Sequence, residues 1–444
     1  MIVLSLDPVR IEDGDLWVHE GRVAAPGHGE RIDAADVVVV PGNVCAHTHL
    51  YSALARGMPF ELEPPQNFLE ILQRVWWRLD RALDEDSIRA SARVGGLEAL
   101  LSGTTTLIDH HASPNAIDGS LDVVADTLGE LGVRAVFCYE TSDRDGAARA
   151  QAGLAENRRF AERVRRERPR LARALIGAHA SFTLSDETLA ACASSAIELG
   201  IGLHVHAAED DADEHDALAA HGMRVVERLE AAGALDERTV LAHGVHFDDA
   251  EIAAVLAAHA TIAHNARSNM NNSIGRARVA ELGERLALGT DGIGSDMFEE
   301  SRTAFFRLRE DSLDAGADWS LARLAASARL AGKIFDEPLL GTLDLGAPAD
   351  LVVLDYTAPA PLTESSFAGH WIFGLSSRHV RDVMVAGEWV VEDRQLVHAE
   401  TRELAAEARI EAERLWRRLA EIGPHPFRAL PVPAPPLPAN GRLK

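Results

Sequence analysis

Between residues 37 and 290 the chain repeats one theme eight times: a short apolar run, then a stretch with helical spacing. The runs cover residues 37–41, 104–109, 133–139, 174–178, 200–207, 239–243, 260–265 and 285–290. Helical patterns fill the gaps, among them 121–131, 147–167, 186–199 and 248–259. An apolar run without alternation suits a strand buried on both faces, as in a parallel sheet. Helices between such strands supply the crossovers that parallel pairing needs. The pattern predicts an α/β fold, a (β/α)8 barrel of the TIM type. A doubly wound open sheet is the rival, and no G-x-G-x-x-G or P-loop run supports it.

The two ends have a different texture. Asp13-Gly14-Asp15 and Glu20-Gly21-Arg22 read as hairpin turns around Leu16, Trp17 and Val18. Strand runs with a Gly turn return at 351–355 and 383–391. Both ends together predict one small β-sandwich. The expected division is 1–40 and 341–400 for the sandwich, 41–340 for the barrel, and 401–444 for a helix and a proline-rich tail. That tail holds seven prolines between Pro424 and Pro438. It cannot continue a helix and reads as an extended arm.

The formal net charge of −25 repels phosphate backbones and anionic lipid, so nucleic acid and membrane are not expected partners. No apolar run reaches membrane-spanning length and no signal peptide is visible. Cys45, Cys138 and Cys192 are scattered in apolar contexts, which reads as free buried thiols in a reducing cytoplasm. Lysine occurs only at Lys333 and Lys444.

Polar residues gather where the runs end, the place where a parallel barrel builds its active site. The first strand ends in His47-Thr48-His49, whose period of two puts both rings on one face of the strand. The fifth run ends in His204-Val205-His206-Ala207-Ala208-Glu209, the sixth in His243, the seventh at His264, and the eighth leads into Asp291-Gly292. One His-x-His pair says little, since core histidines make such pairs. The ordered set on several strand ends points to a metal site. Imidazole plus carboxylate favours Zn²⁺, with Fe²⁺ as the alternative, over Mg²⁺ or Ca²⁺.

These motifs resemble the amidohydrolase superfamily, and within it the chlorohydrolase and aminohydrolase branch that includes guanine deaminases. The resemblance rests on Pro41-Gly42 before His47-Thr48-His49, Arg56-Gly57, Gly103-Thr104-Thr105-Thr106 through Asp109, His264-Asn265 with Ser268-Asn269, and Gly289-Thr290-Asp291-Gly292. The runs at 76–85, 109–114, 264–272 and 294–300 look like SsnA-type aminohydrolases. The resemblance implies His47, His49, His206 and Asp291 as ligands of one divalent metal ion. It implies His243 beside the activated water, Glu209 as proton shuttle, and Asp291 as both ligand and base. Binuclear relatives carry a carboxylated lysine on strand four; here that stretch, Ala174 to Ala180, has none.

Other residues are weighed against structural roles. His179, His110 and Trp77 are candidate substrate contacts, and one of His110 and His111 is expected to face the pocket. His204 is a rival ligand to His206 or a support for it, and His246 reads as support. Trp76 and Trp77 lie in a helical stretch where aromatics are usually core. Arg56 reads as a structural ion pair and Asn269 as a brace for the loop after strand seven. The expected activity is hydrolytic deamination of an amino-substituted nitrogen heterocycle, purine- or pterin-like, by metal-activated water. Ring opening of a cyclic amide is the alternative reaction, and a catalytically silent scaffold is the alternative class. The expected partners are a small heterocyclic substrate and a second copy in a homodimer.

Overall fold

The computed structural model describes residues 1–430. The tail from Pro431 onward therefore lies outside the described residues.

The barrel strands are Asn43–Thr48, Thr104–His111, Arg134–Tyr139, a fourth broken at Leu175 into Ala172–Ala174 and Ile176–Ala180, then Leu203–Ala207, Val240–His243, Thr261–His264 and Leu286–Leu288. They pair in parallel in this order. The break at Leu175 divides the pairing: its first half pairs with strand three and its second with strand five. Closure between strands eight and one comes from the Thr290 and Asp291 N–H groups, which both donate to the His47 carbonyl at 2.8 and 3.1 Å. The interior is filled by small and branched side chains such as Ala46, Ile108, Val136, Val240, Ala263 and Ala287. It is a packed core, so chemistry is confined to the mouth.

One apolar run belongs elsewhere. Val38–Pro41 lies in the end-built sheet, parallel to Ile2–Leu6 and antiparallel to Leu351–Leu354. The first barrel strand is the next one, Asn43–Thr48, after Gly42. A strand covered on both faces has the same composition in either setting, so only its pairing separates them.

That sheet has seven strands, in the spatial order Gln395–Leu396, Glu388–Glu392, Val380–Val385, Leu351–Leu354, Val38–Pro41, Ile2–Leu6, Val9–Glu12. Period two divides its faces. Val39, Leu351 and Val353 pack towards a three-stranded sheet carrying Leu16, Val18, Val23 and Ile32. Val38, Val40, Val352 and Leu354 pack towards the helices around the barrel. A buried ion pair ties the two parts: Arg134 donates to both Asp350 oxygens at 2.8 and 3.0 Å.

Candidate metal centre

His47, His49, His206 and Asp291 each bring one donor atom to within 4.8 Å of the others at the barrel mouth. Asp291 Oδ1 lies 3.0 Å from His49 Nε2 and 3.5 Å from His47 Nε2. His49 Nε2 and His206 Nε2 are 3.1 Å apart.

The back of each ring decides which nitrogen faces inward. His49 Nδ1–H donates to the His110 carbonyl at 2.6 Å, and His206 Nδ1–H to the His179 carbonyl at 2.9 Å. A carbonyl only accepts, so Nδ1 carries the fixed proton and Nε2 is left for the centre. His47 Nδ1 lies 2.9 Å from His204 Nε2, and its buried Nε2 faces Asp291 Oδ1 at 3.5 Å. Three converging imidazole nitrogens and a carboxylate oxygen fit a tetrahedral divalent cation such as zinc. Burial lowers the pKa of His49, but the adjoining Asp291 outweighs it and brings it to about 9. A proton there stands where a cation would, and a bound metal would take its place. Burial also opposes the charge on Asp291, yet hydrogen bonds from His47 and His49 hold its carboxyl well below the ordinary range.

His204 does not compete for the centre. Its Nε2 faces His47, and its Nδ1 lies 3.8 Å from Cys138 Sγ on the far side. The fourth barrel strand presents no lysine, and Lys333 Nζ bonds the Glu237 carbonyl at the surface.

Two further groups stand beside the four. His243 Nδ1 lies 2.8 Å from Asn269 Oδ1, an acceptor, so Nδ1 donates and the buried Nε2 is free. That Nε2 lies 3.5 Å from Glu209 Oε2. Burial, then the charge of Asp291, pushes the Glu209 carboxyl well above its ordinary value. Asp291 Oδ2 accepts from the Ser268 hydroxyl.

The backbone is strained where these residues leave their strands. Ala208, His243 and Asp291 have φ of 47°, 75° and 54°. Left-handed conformations at non-glycine residues cost roughly 1–3 kcal/mol each and collect at functional sites. Gly289 is required by a close approach: a Cβ there would lie 2.5 Å from Asn265 Oδ1 and 2.8 Å from His47 N.

A pocket opens above the centre, lined by His49, Trp76, Trp77, Glu140, His179 and Glu209 among others. Trp77 is 1% exposed and its indole N–H has no partner among the described residues. His179 faces Glu140, Nε2 to Oε1, at 3.3 Å. His110 is buried beneath the cluster and is absent from the pocket wall, and His111 packs against Ser113 and Tyr51. His264 ends its strand outside the cluster, His246 bonds the Ile274 carbonyl, and Arg56 pairs with Glu98.

Sequence reasoning missed Glu140. It follows the third barrel strand and belongs to a buried charge network: Arg144 pairs with Glu140 at 2.9 Å and with Asp80, and lies 5.3 Å over the Trp77 ring. Burial opposes ionisation of Glu140, but His179, His110 and Arg144 hold it well below the usual carboxylate range. The available signal was its place immediately after an apolar run, where barrel strands present functional groups.

A model of the amidohydrolase family matches residues 38–390. The chain belongs to the amidohydrolase family. This amidohydrolase is 30% identical over 432 residues to the 5'-deoxyadenosine deaminase of Methanopyrus kandleri, covering 93% of this chain and 97% of the relative. It is 32% identical over 397 residues to the 5-methylthioadenosine/S-adenosylhomocysteine deaminase of Haloarcula marismortui, covering 86% and 88%. Among solved structures, an adenosine deaminase from Xanthomonas campestris with bound zinc superposes with a TM-score of 0.81 at 25% identity, covering 93% and 96%. The atrazine chlorohydrolase TrzN from Arthrobacter aurescens TC1, complexed with zinc, gives 0.76 at 23% identity, covering 93% and 99%, and speaks for the fold alone. The amidohydrolase is thus a metal-dependent hydrolase of carbon–nitrogen bonds, in the deaminase branch of its superfamily.

Proposed function

We propose that this amidohydrolase deaminates an amino-substituted nitrogen heterocycle hydrolytically, with adenine-type purines first among the candidates. The observation that carries the reading is the His47–His49–His206–Asp291 donor set beside Glu209 and His243, under an aromatic-walled pocket. A zinc ion held by those four residues supplies the Lewis acid that makes water nucleophilic near neutral pH.

The chain's own groups handle protons and position. Asp291 Oδ2 and His243 Nε2 accept protons from the attacking water, and Asn269 fixes the His243 tautomer. Glu209, its carboxyl kept protonated by burial and Asp291, delivers a proton to the ring or leaving nitrogen. A C–O bond forms, the C–N bond breaks, and ammonia leaves. Trp77 offers to a planar substrate an N–H that has no partner among the described residues, and His179, braced by Glu140 and Thr183, offers a second polar contact. The purine-nucleoside deaminases among the relatives support the substrate class. The motif runs at 76–85 and 264–272 support a finer place beside SsnA-type aminohydrolases.

The test is one zinc per chain by elemental analysis, with ammonia release from adenine, adenosine, 5'-deoxyadenosine, 5'-methylthioadenosine, guanine and pterin. Ammonia equimolar with the absorbance change is expected. Turnover of hydantoins without ammonia favours ring opening. A zinc-loaded protein inert on heterocycles and cyclic amides alike is the silent scaffold.

A homodimer is the proposed assembly. Phe373, 71% exposed, and Phe306, 46% exposed, lie 6.2 Å apart and offer an apolar patch for it. Sedimentation at micromolar concentration decides. No helix among the described residues is long and apolar enough to cross a membrane. The buried free thiols of Cys45, Cys138 and Cys192 support a cytoplasmic location.

A further inference from the structure

We infer that residues 424–430 form a strap behind the pocket wall that sets which substrates the site admits. The inference rests on the heterocycle reading above.

The wall is one segment: a helical turn Phe68–Ile71, a π-helical turn Leu72–Trp76, and a short helix Trp77–Ala82. It brings Phe68, Leu72, Trp76 and Trp77 to the pocket. π-helical turns inside helices are frequent at functional sites. The arm lies on the segment's outer side and is clamped to the π turn. The His425 N–H donates to the Gln73 carbonyl at 2.9 Å, and Gln73 Nε2 donates to the Phe427 carbonyl at 2.6 Å.

Two arm side chains bear on Trp77. The His425 ring is 4% exposed and 5.2 Å from the Trp77 ring. Its Nε2 lies 3.3 Å from Asp145, so it joins the carboxylates around Arg144. The Phe427 ring lies 5.5 Å from Trp77 and 6.0 Å from Phe182. Further along, the Leu430 N–H donates to Asp216 Oδ1 at 2.6 Å, so the arm is anchored on both sides of the mouth.

Pocket size gives these contacts a function. The cavity above the centre is about 40 Å³. A second cavity of about 260 Å³ shares His49, Ser52, Trp76 and Gly292 with it, so the placing of the Trp76–Trp77 wall governs the room a bicyclic heterocycle has at the centre. The wall can retreat only as far as the arm behind it gives way. His425 and Phe427 are therefore positioning residues for Trp77, and the arm tunes selection by size.

The test compares full-length, zinc-loaded wild type with Phe427→Ala, His425→Ala and Phe427→Leu. A chain ending at Gly423 is set against one ending at Leu430, which isolates the strap. Hydrogen exchange across residues 68–82 is expected to rise at least fivefold in Phe427→Ala and in the chain ending at Gly423. With adenine and 5'-methylthioadenosine as small and large probes, kcat is expected to stay within threefold. The ratio of their KM values is expected to change at least tenfold, and Phe427→Leu to restore most of it. Unchanged exchange at 68–82 overturns the inference. So does an unaltered KM ratio, or a fall in kcat that tracks zinc loss. If the wild type turns over neither probe, the functional reading fails by itself, and the exchange comparison alone decides the bracing of the wall.

Discussion

Replacing Glu209 by Gln removes the ionisable proton and almost no volume. The side chain is 13% exposed and lies 3.5 Å from His243 Nε2. It groups with His206 and His243, whereas the four-residue donor set closes without it. Zinc should therefore remain at one per chain. What is lost is the acid that burial and Asp291 keep protonated. A positioned general acid contributes about 10²–10⁴-fold to rate, or about 2.7–5.4 kcal/mol of barrier. The assay is ammonia release at saturating substrate, with zinc content and the unfolding midpoint measured on the same preparation. A fall of less than tenfold would refute the proton-transfer role and move it to His243. Loss of zinc with an unchanged midpoint would make Glu209 a ligand.

Asp291→Asn is expected to lower turnover further than it lowers zinc content, since an amide oxygen still faces the metal but accepts no proton; turnover and metal read on one sample check this. Glu214 is raised to about 9 by burial and by Glu251. A folded-state pKa raised on an acid means stability present at low pH and lost as pH climbs from the ordinary carboxylate value towards 9. Glu214→Gln should therefore melt above wild type at pH 8, with the gap closing towards pH 5, as read by thermal scans. Arg134→Met strands the buried Asp350 carboxylate and should cost about 3–5 kcal/mol in chemical denaturation, with kcat unchanged.

The parts of this fold legible in the sequence are those with local signals. The helices Ala147–Glu167 and Asp186–Leu199 match the periodic stretches, the second because Ser185 caps its start and Gly200 ends it in a left-handed turn. His47, His49, His206 and Asp291 stand out because they interrupt or follow apolar runs at strand ends. The run at 37–41 reads as the first barrel strand but belongs to the seven-stranded sheet, because partner choice leaves no mark on a strand buried on both faces. The Asp80–Glu140–Arg144 network was illegible for another reason. Asp80 lies about 60 residues before Glu140 and Arg144, and each of the three alone reads as a solvated charge; only the fold buries them together. The histidines of the pair at 110 and 111 are both enclosed, a result that strand alternation alone did not supply.

The seven-stranded sheet has a consequence for biosynthesis. Val38–Pro41 emerges early, yet its antiparallel neighbour Leu351–Leu354 is made about 310 residues later. At about 5–20 residues per second, the ribosome needs roughly 15–60 s to bridge that interval. During it, one edge of Val38–Pro41 offers unpaired N–H and C=O groups, a template for any strand from another nascent chain. The order of synthesis, more than the packing of the finished barrel, sets when this protein is most prone to aggregate. Slower translation lengthens that exposure in proportion.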